Sequence, residues 1–310
     1  MMKNQGIYTQ RLLSLPSLND LNDLSIHTRL SHDLISKYVS NNKRYYHHFN
    51  MTKRSGGVRP IENPDEELKA IQRWILRNIL DKLFPSIYAK GFVKKMSILN
   101  NAKPHLDHQY ILNIDLKDFF SHVKASHVFT VFNALGYSKM MSYYLTSICT
   151  LNGYLPQGAP TSPSLSNFVC LRLDHRIGKY CENKALSYTR YADDICISGN
   201  KLTVIKDAWH MLRVIIESEG FIINSKKEKL SGPKSRREVT GLIVNPSLGI
   251  GRSKYNYYRK KIFILLMAND PKREQIISGI LSYVKSVDAK RHIYLCKYYD
   301  SIKLKASTSI

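Results

Sequence analysis

The tetrapeptide Tyr191-Ala192-Asp193-Asp194 constrains the fold of this chain more than any other feature. It lies between two short runs of β-forming residues, 187–190 and 195–198, and this arrangement predicts a β-hairpin whose turn carries two adjacent carboxylates. Adjacent carboxylates repel each other, which costs stability unless a cation lies between them. The turn therefore indicates a metal site, although an Ala-Asp-Asp turn taken alone is also typical of a solvated hairpin tip.

Asp115 is the best candidate for a third carboxylate. It lies near the end of residues 110–116, an apolar stretch that predicts a buried strand. A carboxylate in such a place is costly unless it is paired or bound to metal, although a lone Asp at a strand end is also typical of a helix cap or a turn. Three Asp residues from a strand and a nearby hairpin can hold two Mg²⁺ ions, which activate an attacking hydroxyl and stabilise a leaving phosphate oxygen.

The charge of the chain favours a polyanionic partner. The 310 residues carry a net charge of +23, which favours nucleic acid, with an anionic membrane surface as the alternative. No run approaches the roughly 18 apolar residues of a membrane span, and residues 1–6 lack the apolar core of a signal peptide. We therefore expect a cytoplasmic protein without a membrane partner. The five cysteines are scattered without a CxxC pair, which argues against a zinc site.

The remaining patterns predict a mixed α+β chain. Residues up to about 50 favour helix, and a hairpin is predicted over 51–61, with Gly56-Gly57 supplying the turn. A helix is predicted over 64–83, with Pro64 in its first turn. Further helices are predicted over 126–150, 164–181 and 204–218, strands near 221–223 and 239–244, and a rigid loop with three prolines over 155–163.

The C-terminal segment differs from the rest in charge. Residues 252–310 contain 13 Lys and Arg against 4 Asp and Glu, and their apolar spacing predicts three helices. The tyrosines beside these charges, Tyr257, Tyr258, Tyr298 and Tyr299, favour contact with nucleic acid, since Tyr can stack on bases or sugars. The alternative is a solvated helical bundle.

Three of these segments together resemble the reverse transcriptases. Residues 114–120, with Asp115, are similar to the first catalytic motif of that family, and Tyr191-Ala192-Asp193-Asp194 to its second. The loop 155–163 is similar to the family's loop beneath template and nucleotide. Two further motifs point to the bacterial retron enzymes: Asn101-Ala102-Lys103-Pro104-His105 resembles their NAxxH motif, and Val239-Thr240-Gly241 their VTG motif.

The resemblance implies a right-hand polymerase fold. We expect fingers over 1–105, a palm with an antiparallel sheet packed on helices over 106–250, and a small basic helical thumb over 251–310. Part of 120–160 would return to the fingers. The chain after the Asp-Asp turn leaves room for a thumb but not for an RNase H or endonuclease domain.

The resemblance also assigns roles to individual residues. It makes Asp115, Asp193 and Asp194 the ligands of two Mg²⁺ ions, with Asp193 firmer than Asp194, while Asp118 is interpreted as a helix cap. Lys227 would protonate the leaving pyrophosphate, with its neighbours Lys226 and Lys229 as rivals.

The substrate would be held by the fingers hairpin and the proline-bounded loop. Phe120, with Phe119 as the alternative, would exclude a 2′-hydroxyl. The residues assigned to the deoxynucleoside triphosphate and template are Lys53 (or Arg54), Arg59, Phe120, Gln157, Gly158 and Ala159. The residues assigned to RNA binding are Asn101, His105, Val239, Thr240, Gly241, Arg259, Lys260 and Lys261.

The function implied is that of a retron RNA-directed DNA polymerase. Such an enzyme copies part of a structured non-coding RNA (msrRNA) into a branched RNA–DNA molecule (msDNA), starting from a guanosine 2′-hydroxyl. A role in antiphage defence with a separate effector or toxin protein is also implied. The alternatives are another bacterial reverse transcriptase, of group II intron-like, abortive-infection or diversity-generating type, and a non-catalytic RNA-binding scaffold that controls a toxin.

Overall fold

Residues 8–52, 56–245, 247–268 and 271–308 are described by the computed structural model of this chain, with side chains described to residue 304. The helices are α1 (Leu21–Thr28), α2 (His32–Asn41), α3 (Glu66–Asn78), α4 (Ile98–Ala102), α5 (Phe119–His122), α6 (Ala125–Ala134), α7 (Lys139–Cys149), α8 (Ser162–Val169), α9 (Leu171–Asn183), α10 (Leu202–Ser218), α11 (Gly251–Met267), α12 (Arg273–Val287) and α13 (Ala289–Thr308). The strands are β1 (Tyr46–Thr52), β2 (Val58–Pro64), β3 (Tyr110–Asp115), β4 (Ser187–Tyr191), β5 (Asp194–Gly199), β6 (Lys229–Ser231), β7 (Glu238–Val239) and β8 (Leu242–Ile243). The predicted α+β class is confirmed.

A four-stranded antiparallel sheet, in the order β4-β5-β3-β6, forms the centre of the fold. The predicted buried strand and the predicted hairpin are neighbours in this sheet. Its main core contains the apolar side chains of α9 and α10, such as Ile177 and Leu212, together with Leu112 and Ile197 from the strands. Helices therefore cover one face of the sheet and fix the strand ends that carry the acidic residues.

The first hairpin, β1–β2, is longer than the sequence indicates. Strands β1 and β2 pair over their whole lengths, so the helical expectation for residues 46–50 is wrong and the hairpin extends beyond 51–61 on both sides. Cross-strand pairing with β2 overrides the local helical preference of these residues.

The helix predicted over 64–83 is shorter than expected. Pro64 is the last residue of β2, and the helix begins at Glu66, because the Asp65 side chain accepts a hydrogen bond from the Leu68 amide (2.8 Å). The helix ends at Asn78, and a 3₁₀ turn over Leu80–Lys82 follows.

Two other predicted helices are each split in two. The helix predicted over 126–150 is interrupted between α6 and α7, where Gly136 has φ of 90°, and the one over 164–181 is interrupted at Cys170. The strand predicted near 221–223 is reduced to a single bridge between Ile223 and Leu116.

The last three helices form a second core with the opposite face of the sheet. Ile262, Val284 and Leu295 pack there together with Ile111 from β3 and Cys196 from β5. The hairpin β7–β8 contributes to the same core. Across the described ranges, no helix is both long and apolar enough to span a membrane.

Candidate active site

The turn between β4 and β5 presents two carboxylates at one end of the central sheet. Tyr191 pairs with Asp194, so Ala192 and Asp193 form a tight turn. Ala192 has φ of 59°, a left-handed conformation that is uncommon for residues other than glycine and is concentrated at functional sites. Asp115 lies directly opposite Asp194 in the register of β3 and β5, and the Leu116 amide donates to the Asp193 carbonyl (2.9 Å). The fold therefore brings the three predicted acids to one edge.

These carboxylates are poorly compensated. Loss of hydration raises the pKa of Asp193, and the nearby Asp115 raises it further, while Lys227 and Arg59 oppose the shift. Loss of hydration, followed by repulsion from Asp193 and Asp115, raises the pKa of Asp194 to about 7. Because Asp194 reaches the surface, the repulsion is the firmer cause, and a dissolved cation has access to this carboxylate. A divalent cation here would relieve the repulsion.

Lys227 lies on the first of these acids. Its Nζ donates to Asp115 Oδ2 (2.8 Å), and this bond raises the pKa of Lys227. Asn224 holds the other oxygen: its Nδ2 donates to Asp115 Oδ1 (3.0 Å) and its backbone amide to the Asp115 carbonyl (2.8 Å). Lys226 and Lys229 are exposed and, among the described residues, form no ion pair with the three acids.

The strand register brings the three carboxylates near one another, but they do not form a complete set of metal ligands. Among the described residues, no three His, Cys, Asp or Glu side chains are grouped tightly enough to hold a metal ion as they stand. The oxygen chemistry of the three acids nevertheless suits a hard divalent cation. In this arrangement the Lys227 ammonium group supplies the positive charge that is paired with Asp115.

A fully buried ion pair supports the turn from below, and sequence reasoning missed it. Arg190 donates to both oxygens of Asp174 (2.8 and 2.7 Å), and neither side chain is exposed. Arg190 also donates to the Ala192 carbonyl (3.1 Å) and to Asn167 Oδ1 (3.2 Å), and Tyr188 donates to Asp174 (2.7 Å). The available signal was a charged residue inside a β-forming run directly before the turn.

Gly91 belongs to the same supporting network through Asn167. A Cβ at Gly91 would lie 2.6 Å from the Ala192 amide nitrogen, so only glycine allows the approach. Asn167 Nδ2 donates to the Gly91 carbonyl (3.0 Å), and the Lys90 amide donates to the Arg190 carbonyl (2.8 Å). Residues 88–91 thus run beside β4 and restrict the turn.

Two phenylalanines follow Asp115 in different environments. Phe119 is buried and stacks on Phe221, with ring centroids 5.6 Å apart. Phe120 is half-buried and lies beside the exposed ring of Phe92 (6.1 Å). Phe120 is therefore the one that a ligand can reach, and Phe92 is an additional candidate that its sequence context did not indicate. Asp118 takes the cap position of α5 with φ of 45°, without a side-chain capping bond.

The β1–β2 hairpin contacts the proline-bounded loop directly. The Glu62 amide donates to the Gln157 carbonyl (2.9 Å), and Glu62 Oε2 accepts from the Gln157 amide (3.2 Å). Gly158 has φ of 148°, and a Cβ there would lie 2.5 Å from the Glu62 carbonyl oxygen. Ala159 is buried. The loop and the hairpin therefore form one surface.

The hairpin residues predicted to bind the triphosphate are only partly described. Arg59 is exposed on β2, and its charge reaches Asp193. Lys53 and Arg54 lie outside the described residues.

The Asn and His side chains of the NAxxH motif lie inside the protein. Asn101 and His105 are buried, as is Val239 of the VTG motif, so direct RNA contact by these three side chains is not supported. Burial, followed by repulsion from His108, lowers the pKa of His105 to about 3, and the ring is therefore neutral. Only Thr240 and Gly241 of the two motifs' assigned residues are half-exposed.

The basic residues of α11 lie on the surface. Arg259 and Lys260 are exposed and Lys261 is half-buried. The Arg259 guanidinium lies over the Tyr298 ring, 4.3 Å from its centroid. This stack presents a cation and an aromatic ring side by side.

The known proteins that are similar to this chain are reverse transcriptases. The family of reverse transcriptases (RNA-dependent DNA polymerases) matches residues 51–244. The chain is 44% identical to the retron Ec86 reverse transcriptase of Escherichia coli, over 95% of this chain and 93% of that protein. It is 34% identical to the retron Mx65 reverse transcriptase of Myxococcus xanthus, over 80% of this chain and 62% of that protein. It is 31% identical to the retron Ec73 reverse transcriptase of Escherichia coli, over 82% and 87%.

A search of solved structures finds a more distant match. The structure of telomerase from Candida albicans in complex with a TWJ fragment of telomeric RNA aligns with a TM-score of 0.49 and 12% identity, over 89% of this chain and 64% of that one.

Proposed function

The chain belongs to the bacterial retron reverse transcriptases, and from that premise we propose that it copies part of its own non-coding RNA into a branched RNA–DNA molecule. It is an RNA-directed DNA polymerase and acts on an RNA template. The observation that carries the proposal is the register that sets Asp115 opposite Asp194, with Lys227 bonded to Asp115.

The three acids are the proposed holders of the divalent metal ions that this family uses. We assign two Mg²⁺ ions to Asp115, Asp193 and Asp194, because oxygen ligands suit this cation and because their mutual repulsion is relieved by positive charge. Bound Mg²⁺ lowers the pKa of an attacking hydroxyl and stabilises charge on the leaving pyrophosphate.

The residues around the acids have separate proposed tasks. Lys227, protonated beside Asp115, donates a proton to the leaving pyrophosphate. Arg59 binds the triphosphate, for which a planar guanidinium is suited. Phe120 lies beneath the sugar and excludes a 2′-hydroxyl, and Gln157 and Gly158 support the new base pair. Lys53 is assigned with Arg59 from its sequence position alone.

The proposed subdomains follow the described elements. Residues 1–105 form the fingers, with β1, β2 and α3. Residues 106–250 form the palm, and residues 251–310 form the thumb. RNA is proposed to contact the half-exposed Thr240 and Gly241 and the surface of α11, where Arg259, Lys260 and Lys261 supply positive charge.

Priming and cellular role are proposed from the family. Synthesis begins at a guanosine 2′-hydroxyl of the structured RNA and consumes deoxynucleoside triphosphates, and the product remains bound to the protein. The complex takes part in antiphage defence in the cytoplasm with a separate effector protein.

One experiment tests the proposed function. The purified protein is incubated with Mg²⁺, dTTP and oligo(dT)-primed poly(rA). The nucleic acid that co-purifies with it is sequenced before and after RNase treatment. Extension, together with DNA joined to RNA through a 2′ branch, is expected. Linear or untemplated DNA would indicate another class of bacterial reverse transcriptase, and RNA binding without extension would indicate a scaffold.

A further inference from the structure

The two retron motifs, distant in sequence, meet inside the protein. The VTG residues form the turn of the β7–β8 hairpin, in which Val239 pairs with Leu242 and Thr240-Gly241 make up the two-residue loop. The Asn101 Nδ2 group of the NAxxH motif donates to Thr240 Oγ1 (3.3 Å). The contact joins a buried side chain to the half-exposed turn of the β7–β8 hairpin.

Thr240 is held in an unfavourable backbone conformation. Its φ is 46° and that of Gly241 is 78°, as a two-residue hairpin with two left-handed positions requires. Glycine takes this conformation freely, but a β-branched residue there is a genuine outlier. Such strain persists only where surrounding structure enforces it, and it is concentrated at functional sites. Two features restrain it here: the pairing of Val239 with Leu242 and the hydrogen bond from Asn101 to the Thr240 side chain.

Asn101 is poorly suited to its own surroundings. Its side chain is buried, and within the described residues its Oδ1 atom has no hydrogen-bond partner. A buried acceptor without a partner costs free energy, and an apolar side chain of similar size would avoid this cost. The presence of an asparagine at this buried position is therefore accounted for by its hydrogen bond to the turn, and not by packing in the core.

His105 fixes the other end of the motif to the catalytic hairpin. Its two ring nitrogens lie 2.8 Å from Thr189 Oγ1 of β4 and 2.8 Å from Ser198 Oγ of β5. These are the two strands that end in the Asp193-Asp194 turn. The imidazole therefore ties the short segment of the motif to both sides of the active-site hairpin.

A second bond connects the same parts independently. Asn113, two residues before Asp115 on β3, donates through Nδ2 to the Glu238 carbonyl of β7 (3.1 Å). The β7–β8 hairpin is thus attached to the catalytic sheet through β7 and to helix α4 through its turn. At its outer end, the position of a Cβ on Gly241 lies 3.6 Å from the Lys254 ammonium group, so the turn is next to a positive charge that suits a phosphate.

We propose that Asn101 and His105 of the NAxxH motif position the site and do not contact RNA themselves. Asn101 holds the Thr240-Gly241 turn in the conformation that binds RNA, and His105 attaches the segment that carries Asn101 to the catalytic hairpin. Both are positioning residues. The inference rests on the proposed function in one respect, which is that RNA contacts this turn. It explains why the asparagine and the histidine of this motif are buried.

The test is a double-mutant cycle on RNA affinity. Asn101→Leu, Thr240→Val and the double variant are compared by filter binding at one fixed salt concentration, using an in-vitro transcript of the RNA that co-purifies with the wild-type protein. Asn101→Leu fills the same space and removes the bond to Thr240. Lys103→Gln, an exposed change within the same motif, is the matched control.

Asn101→Leu is expected to weaken RNA binding by about three- to tenfold, the equivalent of one neutral hydrogen bond. The double variant should bind no more weakly than Thr240→Val alone, because Asn101 acts through Thr240. The thermal midpoint of Asn101→Leu should be at or above that of the wild type, since an acceptor without a partner is removed. Lys103→Gln should retain affinity to within about twofold.

Three results would contradict the proposed positioning role of Asn101. These are unchanged affinity in Asn101→Leu, losses that add in the double variant, and a loss of affinity matched by a fall in thermal midpoint. The proposed function is tested separately by the wild-type protein: failure to bind the transcript or to extend oligo(dT) on poly(rA) would contradict that proposal, whatever the variants do.

Discussion

Two acidic sites lie beside the same β4–β5 hairpin, and their charges are compensated in opposite ways. Asp174, beneath the turn, is fully buried and receives two bonds from Arg190 and one from Tyr188. The acids at the tip of the sheet share a single lysine that bonds to one of them, and the pKa values of Asp193 and Asp194 are raised.

The difference shows that compensation, more than burial, separates a structural acid from a functional one. A buried carboxylate with a bidentate guanidinium and a hydroxyl has no use for a metal ion. Acids that repel each other and retain access to solvent are poised to take up cations. The paired site supports the turn, and the unpaired site is the one for which we propose metal-dependent chemistry.

The strongest test of this contrast is Asp193→Asn. Loss of one carboxylate from the unpaired site should reduce primer extension by about 10³-fold, by analogy with removal of one preorganised electrostatic group from an active site. The thermal midpoint should not fall, because repulsion is relieved. Single-turnover extension and thermal unfolding are the measurements. Asp118→Asn, an exposed acid without a side-chain capping bond, is the control and should retain activity.

The paired site should respond in the opposite way. Arg190→Met leaves Asp174 buried and uncompensated, and it should cost about 3–5 kcal/mol of the free energy of unfolding. Adding Asp174→Leu should recover most of that loss, since an apolar pair replaces the ions. Extension should stay impaired in the double variant, because the Ala192 carbonyl has lost its donor. Urea unfolding checks the first two statements, and a double variant as unstable as Arg190→Met would contradict them.

The contrast between the two sites also separates what the sequence predicts from what it does not. Asp193 and Asp194 are adjacent in a turn, so local pattern reveals both the hairpin and the repulsion. The partnership of Arg190 with Asp174 depends on a helix packing against a strand, and no local spacing encodes it. The same limit applies to the orientation of side chains: the NAxxH motif could be recognised in the sequence, but not the fact that Asn101 faces inward.

Element boundaries show a similar division. The buried strand and the hairpin were predicted because their period and turn residues agree. The start of β1 at Tyr46 was missed because pairing with β2 decides it. Gly136 interrupts the helix predicted over 126–150, and a glycine at this position in the sequence already indicated a possible break.

The pH dependence of stability provides a third comparison of the two sites. In the folded, metal-free protein the pKa of Asp194 is raised to about 7, from a value near 3.8. Below both values the carboxyl is protonated in either state. Between them the unfolded state releases a proton that the folded state keeps, so stability should fall as pH rises through this window and level off above it. Urea unfolding in EDTA from about pH 4 to 8 measures this slope.

Asp194→Asn should remove that part of the slope, since the variant side chain does not titrate. Asp118→Asn should leave it in place, because Asp118 is exposed and lies outside the acidic group. An equal slope in the wild type and in Asp194→Asn would contradict the comparison. It would show that the negative charge of Asp194 is neutralised by its surroundings in the folded, metal-free protein.

The smallest expected effect extends the comparison to cations in the C-terminal helices. Lys260 and Lys261 form no ion pair in the part of the chain that the structure describes, whereas Arg291 is paired with Asp288 (3.2 Å). Replacing both lysines with Gln should lower the slope of log affinity against log salt by about 0.7–0.9 for each phosphate contact that is lost. Arg291→Gln should change that slope less, because its charge is already neutralised by Asp288. Equal slopes in the two variants, measured with the co-purifying RNA, would remove the proposed distinction between paired and unpaired charge.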